Sequence, residues 1–137
     1  MSGVVEASAA KKEESKTEQT ARQFLIDDIE TKKVSYTRIS DSIWEYAETA
    51  YQEIKSADLL SRELEESGFS VTRGIADIPT AFKAVYGNGA PRIAILGEYD
   101  ALPGLSQKAG LARQEPDPQR ETGHGCGHHL LGTAGVA

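Results

Sequence analysis

Residues 92–104, Arg-Ile-Ala-Ile-Leu-Gly-Glu-Tyr-Asp-Ala-Leu-Pro-Gly, decide the fold that the sequence predicts. In the predicted strand from Arg92 to Leu96, every residue after Arg92 is apolar, which is typical of a strand buried on both faces of a sheet. In α/β sheets, functional side chains collect just beyond the C-terminal ends of such strands. The pattern therefore predicts an α/β fold and points to the acidic residues Glu98 and Asp100.

The chain upstream of this run has a helical pattern. Apolar residues recur in steps of three and four between Ile39 and Leu64, and this spacing predicts two or three helices that end just before Gly68. The pattern begins at Phe24, Leu25 and Ile29, and a polar stretch at residues 32–35 is expected to interrupt it before it resumes at Ile39. Ser56 is expected to cap a new helix.

Beyond Gly68 the apolar pattern changes to a period of two. Short strands are predicted at residues 69–71 and 81–86, with a glycine-rich turn at residues 87–89 before the buried strand at residues 92–96. The polar, proline-containing stretch at residues 105–122 is predicted to be a surface loop. Helices followed by strands in this order favour an α/β sheet.

Composition excludes several kinds of partner. The 137 residues fit one domain, and residues 1–18 have the composition of a disordered tail. The net charge is -6 and the basic residues are scattered, which argues against binding to nucleic acid or to an anionic membrane.

No apolar run approaches the roughly 18 residues that a membrane span needs, and no signal sequence is visible, so a cytoplasmic location is expected.

The strongest chemical signal is a cluster of histidine and cysteine. All three histidines and the only cysteine lie within residues 123–129, Gly-His-Gly-Cys-Gly-His-His. Thiolate and imidazole are ligands that zinc prefers, so Cys126 and His128 are candidate metal ligands. Two alternatives stay open: a packed cysteine among polar loop histidines, or a Cys126 nucleophile served by His124 or His129.

A carboxylate to complete such a site is available locally. A closed structural zinc site uses four protein ligands, and the chain holds no second cluster of cysteine and histidine. In an extended strand, Glu98 and Asp100 would point the same way. A carboxylate that orients a ligating imidazole is a common partner of catalytic metals, although both acids could equally be ordinary loop residues.

Two segments together resemble a known family. The segments at residues 97–104, Gly-Glu-Tyr-Asp-Ala-Leu-Pro-Gly, and 123–128, Gly-His-Gly-Cys-Gly-His, are similar to two motifs of the aminoacylase/carboxypeptidase family of metallopeptidases and amidohydrolases. Within that family they look most like the branch that contains p-aminobenzoyl-glutamate hydrolase and the auxin-conjugate amidohydrolases. The resemblance extends through residues 44–48 and covers roughly residues 20–137.

The resemblance implies roles for individual residues. Asp100 would be the catalytic carboxylate beside the metal centre, and Cys126 and His128 would be metal ligands. Many distant relatives have a histidine ligand at the position of Glu98, and His129 stands where relatives usually carry Asp or Asn. Family members hold two divalent ions, zinc or manganese, and hydrolyse amide bonds of N-acyl amino acids or small dipeptides through a metal-bound water and a glutamate base.

The resemblance also implies what kind of molecule this is. Residues 19–137 would be the N-terminal part of a zinc-peptidase-like (phosphorylase/hydrolase-like) catalytic domain. Three parts of the relatives would lie beyond Ala137: the glutamate base, the later metal ligands, and the lid and dimerisation domain. The complete relatives are homodimers. The chain is thus expected to be a truncated fragment that is inactive alone. The alternative is a noncatalytic remnant or interaction module that retains part of the fold.

Overall fold

The structure is a computed structural model that describes residues 16–119 of the chain. The chain divides into two compact units, residues 1–32 and residues 33–137. Helix α1 (Lys16–Tyr46) begins in the first unit and ends in the second. The predicted tail lies outside the described residues except for residues 16–18, which are the start of α1. Within residues 16–119, no helix is both long enough and apolar enough to cross a bilayer.

The described part of the first unit is helix with exposed apolar side chains. Phe24, Leu25 and Ile29 are all more than half exposed. Side chains four residues apart support the helix, as in the ion pair from Lys32 Nζ to Asp28 Oδ2 at 2.7 Å. Such exposed pairs add only a few tenths of a kcal/mol, about 0.3–0.5.

The second unit is built around the C-terminal half of α1 and helix α2 (Ile54–Glu66). Its core consists of Ile39, Ile43 and Leu60, all buried. The residues packed against this core are Tyr36, Leu59, Phe82 and Tyr99. The core therefore gathers one face of each helix, one side chain from the sheet and one from the loop that follows residue 96.

The sheet of the described residues has two antiparallel strands. Strand β1 (Ser70–Arg73) pairs with β2 (Phe82–Val85) in a register that sets Ser70 opposite Val85 and Arg73 opposite Phe82. A 3₁₀ turn at Ile75–Asp77 lies in the connection. Arg73 ties β1 to α2, because its guanidinium donates to both carboxylate oxygens of Glu65 and to the Ser61 hydroxyl.

Several predictions are confirmed. The two helices lie where the helical spacing places them, and β1 and β2 lie within a residue or two of the predicted strands. Helix α2 ends at Glu66, and Gly68 follows with a φ of 91°, a left-handed conformation that favours glycine. The mixture of helices and strands is also as predicted.

Two local predictions in the helical region are wrong. Residues 32–35 do not interrupt the helix, because α1 continues through them. Lysine is a good helix former, so a loss of apolar spacing there does not end the helix. Ser56 does not cap α2 either: the N-cap residue is Glu53, and Ser56 lies inside the helix.

The predicted buried strand at residues 92–96 is a third error. The segment has no regular structure, and the exposed fractions of Ile93 and Leu96 are 89% and 96%. A strand needs neighbours that pair with its backbone and cover its faces, and the sheet of the described residues contains only β1 and β2. The structure thus shows a mixed α and β unit with an antiparallel sheet, while the catalytic-domain fold stays a prediction.

Substitution distinguishes the buried core position Leu60 from the exposed position Ile93. Leu60→Ala removes a buried side chain and is expected to lower the free energy of unfolding by about 2–5 kcal/mol. Ile93→Ser changes an exposed side chain and is expected to change it by less than about 0.5 kcal/mol. Urea unfolding of the 137-residue chain, followed by the fluorescence of its single tryptophan, measures both. A large loss for Ile93→Ser would show that this segment is buried after all.

Candidate functional site

The loop that carries Asp100 is held to the helices through the residue after it. Ala101 is almost completely buried, and its N–H donates to the Glu48 carbonyl at 2.7 Å. Thr49 and Ala101 form an isolated parallel bridge. The segment between α1 and α2 thereby fixes the backbone immediately beyond Asp100.

Glu48 also organises the start of α2 through its side chain. One carboxylate oxygen accepts from the Lys55 N–H at 3.0 Å, and the other accepts from the Ser56 N–H and hydroxyl, each at 2.9 Å. The first N–H groups of a helix have no partner within the helix, and the helix dipole favours a negative charge beside them. One residue therefore joins the N-terminus of α2 to the Asp100 loop.

Tyr99 anchors the loop on the other side of Asp100. Its hydroxyl donates to the carbonyl of buried Thr80, and its ring packs against Phe82 with the ring centroids 6.1 Å apart. Burial raises the pKa of Tyr99 to about 12, helped by the negative charges of Glu53 and Glu48. All three effects favour the neutral hydroxyl, which remains a hydrogen-bond donor.

Glu53 is a buried acid with an incomplete set of contacts. It is only 7% exposed, and its Oε1 accepts from the Tyr51 N–H at 2.9 Å. Its Oε2 is buried without a hydrogen-bond partner in the part of the chain that the structure describes. An unpaired buried oxygen is costly, so this carboxylate marks a tightly constrained junction before α2.

Asp100 itself is partly exposed between these two anchors. Its carboxylate forms no hydrogen bond or ion pair with any other residue from 16 to 119. Glu98 is exposed, and the extended strand that would align it with Asp100 is not present. Asp100 is therefore held by its backbone neighbours while its oxygens remain available to another group.

The polar loop predicted after this site is confirmed as far as residue 119. Lys108 and Arg113 both pair with Glu115. The Gln107 side chain donates to the Arg113 carbonyl and accepts from the Glu115 N–H. A groove of about 610 Å³ lies between this loop and Trp44. Its lining combines apolar and polar side chains and is open to solvent.

The comparisons with known proteins found relatives of one kind. The chain is 52% identical over 115 residues to a subunit of the p-aminobenzoyl-glutamate hydrolase of Escherichia coli, an alignment that covers 84% of this chain and 24% of that protein. It is 32% identical over 109 residues to the Xaa-Arg dipeptidase of mouse, covering 72% of this chain and 21% of that protein. The first of these relatives lies in the branch that the two motifs resemble. The chain belongs to the aminoacylase/carboxypeptidase family of amidohydrolases.

Membership of this amidohydrolase family rests on sequence alone. The human Xaa-Arg dipeptidase is also 30% identical over 112 residues, covering 72% of this chain. No family model and no solved structure matches. The chain spans about a quarter of the length of the curated amidohydrolases that it matches.

The structure reaches only part of the predicted site. Asp100 is described, whereas the predicted ligands Cys126 and His128, together with His129, lie outside the described residues. Within residues 16–119 no group of three His, Cys, Asp or Glu side chains could hold a metal ion. The roles assigned to Asp100, Cys126 and His128 stay predictions.

Sequence reasoning missed the residues that support Asp100. Glu48 carried a usable signal, since an acid shortly before a predicted helix is a candidate cap. Nothing in the sequence singles out Glu53, and Tyr99 lies in the motif at residues 97–104 with no predicted role, because the contacts of both are with residues more distant in sequence. Tyr99 precedes Asp100 in the chain, whereas Glu53 comes near Tyr99 only after the chain has folded.

The Glu48 cap predicts a measurable loss of stability. Glu48→Ala leaves the Lys55 and Ser56 N–H groups without their acceptor and is expected to lower the free energy of unfolding by about 1–2 kcal/mol. The control is Glu45→Ala, an exposed acid in the last turn of α1, which is expected to change the free energy of unfolding by less than about 0.5 kcal/mol. Equal effects of the two substitutions in urea unfolding would contradict the capping role.

Tyr99 predicts a loss of stability at alkaline pH. An unfolded tyrosine ionises near pH 10, whereas folded Tyr99 keeps its proton until about pH 12. Between these values the folded state binds the extra proton, so this contribution is complete below pH 10 and disappears as the pH rises towards 12. Ultraviolet titration should show one of the five tyrosines ionising last, and Tyr99→Phe should remove that step while Tyr51→Phe leaves it.

Proposed function

We propose that this chain contributes to a metal-dependent hydrolase that cleaves the amide bonds of N-acyl amino acids or small dipeptides. The observation that carries the proposal is the 52% identity to a subunit of p-aminobenzoyl-glutamate hydrolase. The names of the relatives describe an aminobenzoyl-glutamate hydrolase and two dipeptidases, and both substrate types present an amide bond next to a carboxylate. A small amide with an acidic or zwitterionic end is the proposed substrate class.

The donor set suits a divalent metal. We assign Cys126 and His128 as ligands, because thiolate and imidazole are the donors that zinc accepts, and two ions of zinc or manganese would complete the site. When bound, such an ion polarises a carbonyl and lowers the pKa of a bound water. The chemistry of the residues is compatible with the metal that the resemblance implies.

Asp100 is proposed to support these ligands. Among residues 16–119 its carboxylate has no partner, so its oxygens can accept the remaining N–H of a ligating imidazole. An acceptor of this kind fixes which ring nitrogen carries the proton and holds the ring in one orientation. Loss of such support typically costs about 10–100-fold in metal affinity or activity.

The second candidate function is a noncatalytic interaction module. The exposed side chains of Ile93 and Leu96 favour it, because clustered exposed apolar side chains often mark a surface that binds another protein segment. This alternative predicts no specific affinity for a divalent metal, so metal binding separates the two.

The proposal is tested by zinc retention of the 137-residue chain after dialysis. Cys126→Ser replaces the thiolate with a weak donor and is expected to lower retained zinc at least about tenfold. The matched control is His124→Gln, in the same cluster but not assigned as a ligand, which should retain zinc as the wild type does. Equal retention by Cys126→Ser and the wild type would overturn the assignment.

A further inference from the structure

The position of Asp100 depends on its neighbours in the chain. Its carboxylate makes no hydrogen bond or ion pair of its own within residues 16–119, and residues 92–100 have no regular secondary structure. A side chain without its own partners is oriented by its backbone. Whatever fixes residues 99 and 101 therefore also fixes residue 100.

We propose that Tyr99 is a positioning residue for Asp100, which it holds in place through the hydrogen bond from its hydroxyl to the Thr80 carbonyl. Tyr99 acts through the adjacent backbone and does not touch substrate or metal. The inference rests on the proposed function of Asp100 and adds a residue to that site.

The contacts of Tyr99 are those of a fixed anchor. Its ring packs against Phe82 and the core of Ile39, Ile43 and Leu60, so the side chain is held within the folded unit. The acceptor, the Thr80 carbonyl, belongs to a residue that is only 5% exposed. Tyr99 thus connects the Asp100 loop to the residues that lead into β2.

The contribution of Tyr99 can be measured separately from that of the second anchor, which is Ala101. On the far side of Asp100 the Ala101 N–H bonds to the Glu48 carbonyl, and this bond does not involve a side chain that substitution can remove. The hydroxyl of Tyr99 can be removed without changing the ring. Burial and the charges of Glu53 and Glu48 raise the pKa of Tyr99 to about 12, so the hydroxyl is a donor throughout the neutral range.

The test is a double-mutant cycle on the whole chain, with Tyr99→Phe, Asp100→Asn and the combined variant. Zinc affinity is measured by competition with a chromophoric chelator, and the Asp100 side-chain rotamers are measured by NMR coupling constants. Tyr99→Phe is expected to broaden the rotamer distribution of Asp100 and to weaken zinc binding about tenfold. The combined variant should bind zinc no more weakly than Asp100→Asn alone, because Tyr99 acts through that carboxylate.

The control is Tyr51→Phe, which removes the hydroxyl of an exposed tyrosine and should leave both measurements unchanged. An unchanged Asp100 rotamer distribution in Tyr99→Phe, or two losses of affinity that multiply in the combined variant, would overturn the proposal. A wild-type chain that binds no zinc, but whose Asp100 rotamers respond to Tyr99→Phe, would reject the proposed function and still support the positioning role.

Circular dichroism shows whether Tyr99→Phe folds. If it does not, difluorotyrosine at position 99 keeps the ring and carries a hydroxyl that loses its proton at milder pH. The Asp100 rotamers should then broaden as that hydroxyl titrates. Rotamers that stay constant through the titration in the folded protein would contradict the role of the hydrogen bond.

Discussion

The arrangement of the site depends on Glu48, which holds two parts of the chain together with different groups. Its carboxylate satisfies the N–H groups at the start of α2, and its carbonyl accepts the N–H of Ala101. The contacts of the carboxylate are with residues seven and eight positions along the chain, whereas the carbonyl contacts a residue far along the sequence. The start of α2 and the loop that carries Asp100 are consequently fixed in one geometry.

Tyr99 and Glu53 complete that geometry from the core side. The ring of Tyr99 packs against the core formed by the two helices, while its hydroxyl bonds towards β2. Glu53 is buried nearby, and its charge adds to the effect of burial in raising the pKa of the Tyr99 hydroxyl. The site is therefore supported by packing and by polar contacts at the same time, and removing either is expected to change how Asp100 is presented.

The sequence predicted the elements that local spacing controls. Helical periodicity located both helices, and Gly68 located the end of α2, because a left-handed residue after a helix favours glycine. The run at residues 92–96 was misjudged because an apolar pattern indicates a tendency to be buried and not the presence of a covering partner. The candidate Asp100 was visible from its motif, whereas the supporting roles of Tyr99 and Glu53 depend on contacts that only the folded chain makes.

The central claim is that Cys126 and His128 bind a divalent metal, with Asp100 in support. X-ray absorption at the zinc edge of the zinc-loaded chain tests it most directly, since it reports the ligand atoms around the ion. We expect a sulfur neighbour at about 2.3 Å together with nitrogen at about 2.0–2.1 Å, with the sulfur lost in Cys126→Ser. A shell of oxygen ligands alone, unchanged by that substitution, would contradict it.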